Sequence, residues 1–345
     1  MAYTVFDDPA SVFDTKLYTG TGSELTVTGI GFQPDFTWLK DRSAVQHHQV
    51  YDSVRGAGEV IYPNLDNGEG TVTQQLKSWT SDGYVIGTDG SVNTSTNNYA
   101  SWNFKAGTTS GITGGTITPS SYSINADAGI GMYAYTGTGA NGTIAHGLSS
   151  TPKFTMVKRL NVAGNWMCGG SIVGTGLSYN NLNNTGIAYD NATVWNSTLP
   201  SSTVISIGTY GASNTSLSTY MLYAFAPVKG YSKFGIYYGT ANASGPVIDL
   251  GFRPAFVLIK PVNYTSAWNI TDNRRPGYQP VAASNLSLNP NTSASTITEA
   301  RMQLMSNGFK LNTTAGEVNQ AYTYMYMAFA ESPIANSSGT ANNAR

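Results

Sequence analysis

Three lysines occupy one recurring place in this chain. Lys40, Lys158 and Lys260 each stand six residues after a proline (Pro34, Pro152, Pro254), with Phe36, Phe154 and Phe256 two residues after it. A lysine closing an apolar strand could present its amine to a carboxylate or to a glycan hydroxyl. The plainer expectation is a strand-end side chain whose stem lies along the surface while its head is solvated. Eight residues beyond the lysines come His48, Trp166 and Trp268, and four further on Asp52, Gly170 and Asp272. Arg55 and Arg275 follow the two acids by three residues. An Asp–Arg pair could be catalytic, but the middle copy has neither charge, so a local salt bridge that fixes a loop is expected.

Other chemistry finds less material. Zinc needs three or four suitable ligands, and His47, His48 and Asp52 have no further histidine nearby. His146 and the single Cys168 lie far along the chain, and one cysteine excludes an intrachain disulfide framework. No Gly-x-Ser-x-Gly elbow supports a Ser-His-Asp triad. Gly20-Thr21-Gly22 and Gly137-Thr138-Gly139 follow strand-like sequence but lack the Gly-Lys-Ser/Thr ending of a phosphate loop, so tight turns are expected. Sequons such as Asn93-Thr94-Ser95 and Asn191-Ala192-Thr193 are unsurprising in a chain so rich in Asn and Thr. No catalytic, metal or cofactor-binding residue is expected, and no cofactor. Tyr62, Trp79, Tyr189, Trp195, Tyr264 and Tyr278 are flanked by polar residues, as at sugar- or protein-binding surfaces, although ordinary sandwich packing is the expectation for them.

The elements that would position these residues recur three times. A second landmark ends in Phe104, Phe225 and Phe329, each with a tyrosine five residues earlier. Upstream stand Leu17-Tyr18-Thr19-Gly20, Ala134-Tyr135-Thr136-Gly137 and Ile236-Tyr237-Tyr238-Gly239. Four landmarks in fixed order predict three diverged copies of one module. The boundaries expected are residues 1–107, 127–229 and 230–332, with a Gly/Thr/Ser-rich linker at 108–126 and a polar tail, mobile unless a partner captures it, at 333–345. Short runs of aromatic and β-branched residues between turn clusters predict strands. The fold class expected is all-β: three tandem antiparallel sandwich or jelly-roll-like modules with little helix, the one helical candidate lying around Ser295–Met305.

Composition narrows the partners. The 345 residues carry 18 Lys and Arg against 19 Asp and Glu, and only 11% are charged, against about 25% in a typical soluble protein. Without a basic footprint, nucleic acid is not an expected partner. No run of 18 apolar residues suggests membrane insertion. The first residues lack the basic and apolar regions of a signal peptide, so synthesis without a cleaved export signal is expected.

Several multi-residue blocks carry a resemblance over nearly the whole chain. They are Asp7-Asp8-Pro9 with Lys16-Leu17-Tyr18-Thr19-Gly20, Gly31-Phe32-Gln33-Pro34-Asp35-Phe36-Thr37-Trp38-Leu39-Lys40 and Asp52-Ser53-Val54-Arg55-Gly56. Further along come Ser81-Asp82-Gly83-Tyr84, Trp102-Asn103-Phe104-Lys105-Ala106-Gly107, Gly230-Tyr231-Ser232-Lys233-Phe234-Gly235 and Met327-Ala328-Phe329-Ala330-Glu331. With these, the chain resembles triple-repeat virion proteins of marine tailed bacteriophages, often described as tail-fibre or particle-surface proteins. Gly170 and the tail after Pro333 depart from the pattern. The resemblance implies a non-enzymatic virion surface component, part of a tail fibre or appendage used in host attachment. Head decoration is the alternative, and a glycan-binding or glycan-cleaving module the third possibility. The partners it implies are other tail or capsid proteins, further copies of the chain and a host surface glycan.

Overall fold

A computed structural model describes residues 4–275, 286–299 and 301–341. The protein is nearly all β. The stretch that follows each repeated proline becomes a strand: Phe36–Asp41, Phe154–Arg159 and Phe252–Pro261. These strands are buried at almost every position, because each is covered on both faces. They therefore read as continuous apolar runs and not as alternation. Pro34, Pro152 and Pro254 are all buried. In the third stretch the strand runs through its proline, and the register shifts on both sides of Pro254. A bulge is where a sheet tolerates a residue without an amide hydrogen.

Each stretch builds a main antiparallel sheet with one strand order. In the first, the order is Phe13–Thr19, Asn98–Phe104, Phe36–Asp41, Gln49–Asp52. In the third it is Ser232–Tyr238, Thr323–Pro333, Phe252–Pro261, Asn269–Asp272. The second has Ile130–Thr136, Thr219–Phe225, Phe154–Arg159, Met167–Gly169, extended by Ser121–Asn125 on one side and by Ser178–Asn181 and Tyr189–Asp190 on the other. A smaller sheet accompanies each main one, for example Leu25–Val27, Gly83–Ile86 and Leu76–Thr80. The result is an all-β, sandwich-like architecture.

Side chains alternate between two destinations. Leu39, Tyr84, Ile86 and Tyr99 fill the space between the first pair of sheets. Tyr133, Ile144, Trp195 and Ile207 do the same in the second. Trp38, Met156 and Leu258 instead join one cluster shared by all three stretches. At its middle the repeated phenylalanines meet: Phe104 lies 6.1 Å from Phe225 and 4.9 Å from Phe329, and Phe225 lies 6.2 Å from Phe329. Phe36, Phe154 and Phe256 pack outside this triangle, each 5.7 to 6.3 Å from the phenylalanine of its own stretch.

Three expectations change. The stretch 108–126 is not a free linker: Ser121–Asn125 is a strand, and Ile117 and Ile124 are buried in the second core. The helix expected around Ser295–Met305 does not form, since Ile297–Thr298 and Met302–Met305 are strands. Met302 and Leu304 alternate with Gln303 and Met305, the period of a half-buried strand. The described part of the tail, residues 333–341, is engaged: the strand Thr323–Pro333 runs past residue 332, and beyond it Ser337 donates from its amide and its hydroxyl to the carboxylate of Asp7.

Candidate functional site

The three repeated lysines lie neither on the surface nor against carboxylates. All are fully buried. Each ammonium donates to the carbonyl six residues ahead in its own stretch and to one carbonyl of another stretch. Lys40 Nζ reaches Gln46 O at 2.7 Å and Ser293 O at 3.2 Å. Lys158 Nζ reaches Gly164 O at 2.5 Å and Asp66 O at 2.9 Å. Lys260 Nζ reaches Ser266 O at 2.7 Å and Thr185 O at 3.1 Å. The first stretch thus reaches the third, the second reaches the first and the third reaches the second, closing a ring. Burial pushes the lysine pKa values down, to about 8 for Lys40 and Lys158 and about 7 for Lys260.

Backbone bonds reinforce the same three seams. Glu69 donates to Leu160 O at 2.7 Å, Ala188 to Val262 O at 2.7 Å and Thr296 to Arg42 O at 3.2 Å. The indoles of Trp166 and Trp268 donate to Tyr62 O and Asn181 O, again in the preceding stretch. His48 takes the corresponding place in the first stretch. It is fully buried, its Nδ1 accepts from Trp38 Nε1 at 3.0 Å, and burial pushes its pKa well down. With Nδ1 accepting, the neutral form of the ring carries its proton on Nε2.

The Asp–Arg pairs form as expected and do more. Arg55 Nε meets Asp52 Oδ2 at 2.6 Å, and Arg275 Nε meets Asp272 Oδ2 at 2.7 Å; all four side chains are buried. Each acid also accepts from another stretch, Asp52 from Tyr223 Oη at 2.6 Å and Asp272 from Trp102 Nε1 at 3.0 Å. The third combination would place Met327 with Gly170. Neither carries a polar side chain, so donor and acceptor are missing together. Gly170 could not be an aspartate in this backbone: its φ is +112°, and a Cβ there would fall 2.2 Å from Lys153 O. The departure of Gly170 from the pattern is thus matched by Met327.

The remaining sequence candidates are dispersed. His47 contacts Asn64, and buried His146 accepts from Leu148 N. Among the described residues no three His, Cys, Asp or Glu side chains gather as a metal site. Cys168 is buried, and burial raises its thiol pKa well above the usual range. Trp195 is core, Tyr264 stacks on Tyr322 at 4.3 Å, and Tyr189 is exposed. Tyr278 lies outside the described residues.

Sequence reasoning missed three buried asparagines. Asn93 accepts from Thr21 N and donates to Gly87 O and Ser23 O. Asn214 repeats this with Thr138 N, Gly208 O and Ala140 O. Asn319 does so with Thr240 N, Thr313 O and Asn242 O. Two of these pin the Gly-Thr-Gly segments, where Gly22 and Gly139 have φ near +75°. The recurrence of Asn93, Asn214 and Asn319, six, six and five residues before Tyr99, Tyr220 and Tyr324, was the available signal.

Fold and clasps together define a class: an all-β protein of three sandwich-like stretches joined in a ring by buried lysines. The chain belongs to the family described as a domain of unknown function (DUF7483), which matches residues 8–333. No match was found among curated proteins.

Proposed function

We propose that the chain is a non-enzymatic structural protein displayed on the surface of a phage particle, as part of a tail fibre or similar appendage. One observation carries the reading. The charged groups that the sequence offered for chemistry are buried and engaged in holding the three stretches together, as Lys40, Lys158, Lys260, Asp52 and Asp272 illustrate. Such a body supports binding and assembly through its outer faces. An apolar cleft of about 490 Å³, lined by Val228, Leu250, Phe252 and Ile334 among others, offers one such face. Gold-labelled antibody against the chain, applied to purified particles, tests the proposal. Label on a tail appendage is expected. Label on the capsid faces and none on the tail would replace the fibre with head decoration, and unlabelled particles would overturn the virion reading. Release of reducing ends from host polysaccharide would overturn the non-enzymatic one.

A further inference from the structure

The three main sheets share a strand order, but they treat their first edge differently. That edge strand is Phe13–Thr19 in the first stretch, Ile130–Thr136 in the second and Ser232–Tyr238 in the third. In the second it is covered, since Ser121–Asn125 pairs along it. In the first it carries Asp14 and Lys16, with Asp14 paired to Arg274 at 3.2 Å. Charges are a common way to discourage pairing at an edge. The third edge has neither device beyond Lys233 at its start. Gly235 stands where the first has Lys16, and the short join from Pro227 to Ser232 leaves no length for a covering strand.

The backbone of this edge is open beyond Ser232, whose own amide and carbonyl are bonded to Val228. Ala330 N donates to Tyr231 O, and Gly239 N to Tyr322 O. Hydrogen-bonded positions alternate in an antiparallel pair, so the odd-numbered residues from 231 to 239 face the strand Thr323–Pro333. Phe234, Ile236 and Tyr238 therefore aim their amides and carbonyls outward, where no described backbone group meets them. Ile236 is 61% exposed and Tyr238 62% exposed. In the second stretch the aligned residue Ala134 uses its carbonyl to accept from Ser120 N of the covering segment.

We propose that residues 233–239 pair antiparallel with the same residues of a second copy of this chain, about a twofold axis at Ile236. This register sets Ile236 opposite Ile236 of the partner and Phe234 opposite Tyr238, one aliphatic and two aromatic cross-strand pairs. On the other face Gly235 meets Tyr237, and Lys233 meets Gly239, so no like charges oppose each other. The two four-strand sheets become one of eight strands, and both open edges disappear. An isologous contact of this kind is self-complementary and closes at two copies. The inference adds a partner to the assembly reading above. Its test uses the purified chain alone, so it can fail while particle labelling succeeds.

Cysteine crosslinking reads the register. Ile236→Cys would place two thiols on a hydrogen-bonded pair with Cα atoms about 5.5 Å apart, within disulfide reach, while native Cys168 is buried. Under mild oxidation Ile236→Cys is expected to yield a covalent dimer, and Tyr238→Cys, which faces Phe234, is expected to remain uncrosslinked. Ile236→Pro removes an amide that no contact among the described residues uses. It is expected to turn a dimer, measured by light scattering after size exclusion, into a folded monomer. A wild-type chain that is monomeric throughout a dilution series would overturn the proposal. So would equal crosslinking of both cysteine variants, or a dimer unaffected by Ile236→Pro.

Discussion

Lys260 Nζ donates to the carbonyl of Thr185 at 3.1 Å, across 75 residues of chain, with the side chain fully buried. Lys158 and Asp66 stand in the same relation, as do Lys40 and Ser293. A lysine can do this because its long stem packs in an apolar seam while its donors satisfy carbonyls on both sides of it. Without the amine, each seam would lose part-buried hydrogen bonds from a charged donor, worth about 1.5–3 kcal/mol each.

The lysines give stability a particular pH dependence. Burial places Lys260 at about 7 when folded, well below its usual 10.5. Between those values the unfolded chain binds more protons than the folded one, so stability rises with pH there and is flat, for this group, below about 7. The urea midpoint of the wild type is expected to increase from pH 7 to about 9. In Lys260→Met that increase should be smaller. An unchanged slope would show that the amine does not titrate in the seam.

Removing one partner of a buried ion pair strands the other. Asp52→Ala leaves Arg55 with Glu69, 3.0 Å from its Nη1, as its remaining carboxylate and leaves Tyr223 without its acceptor, and should cost about 3 kcal/mol in chemical denaturation. Tyr223→Phe should cost about 1–3 kcal/mol, and the double variant less than the sum, because both act at Oδ2 of Asp52. Strict additivity would mean that the seam contact does not form.

The phenylalanine triangle should behave as one core. Phe104→Ala, Phe225→Ala and Phe329→Ala each open a cavity where the three stretches meet, and each should lose about 3–5 kcal/mol. The three losses are expected to be similar although the residues lie far apart in sequence. A loss confined to one variant would show that only one stretch relies on the contact.

Much of this was legible in the sequence. The spacing of Pro34, Phe36 and Lys40, seen again at Pro152 and Pro254, marked the central strands because a strand buried on both faces leaves a dense apolar run. The Asp–Arg pairs were legible because their partners are three residues apart. The role of the lysines was not, since their acceptors are backbone carbonyls of other stretches, and a carbonyl has no residue type to read. The strand Ser121–Asn125 was hidden by composition: Tyr122 and Ile124 alternate with small polar residues inside a Gly- and Thr-rich region. Met302 and Leu304 lie in a short apolar run, where helix and strand periods overlap.

Gly170 tests whether the ring tolerates a third charge. Gly170→Asp, which would complete the threefold pattern of acids, should destabilise the protein, because φ of +112° and the Lys153 carbonyl leave no room for a side chain. Thermal unfolding of this variant is expected below that of the wild type. A stabilised variant would show that the backbone at this loop can shift.

Scanning calorimetry of the intact chain addresses the ring most directly. Three stretches clasped around one shared core should unfold together, with a single transition whose calorimetric and van't Hoff enthalpies agree. Separate transitions, with Lys158→Met shifting one and leaving the others in place, would contradict a closed ring.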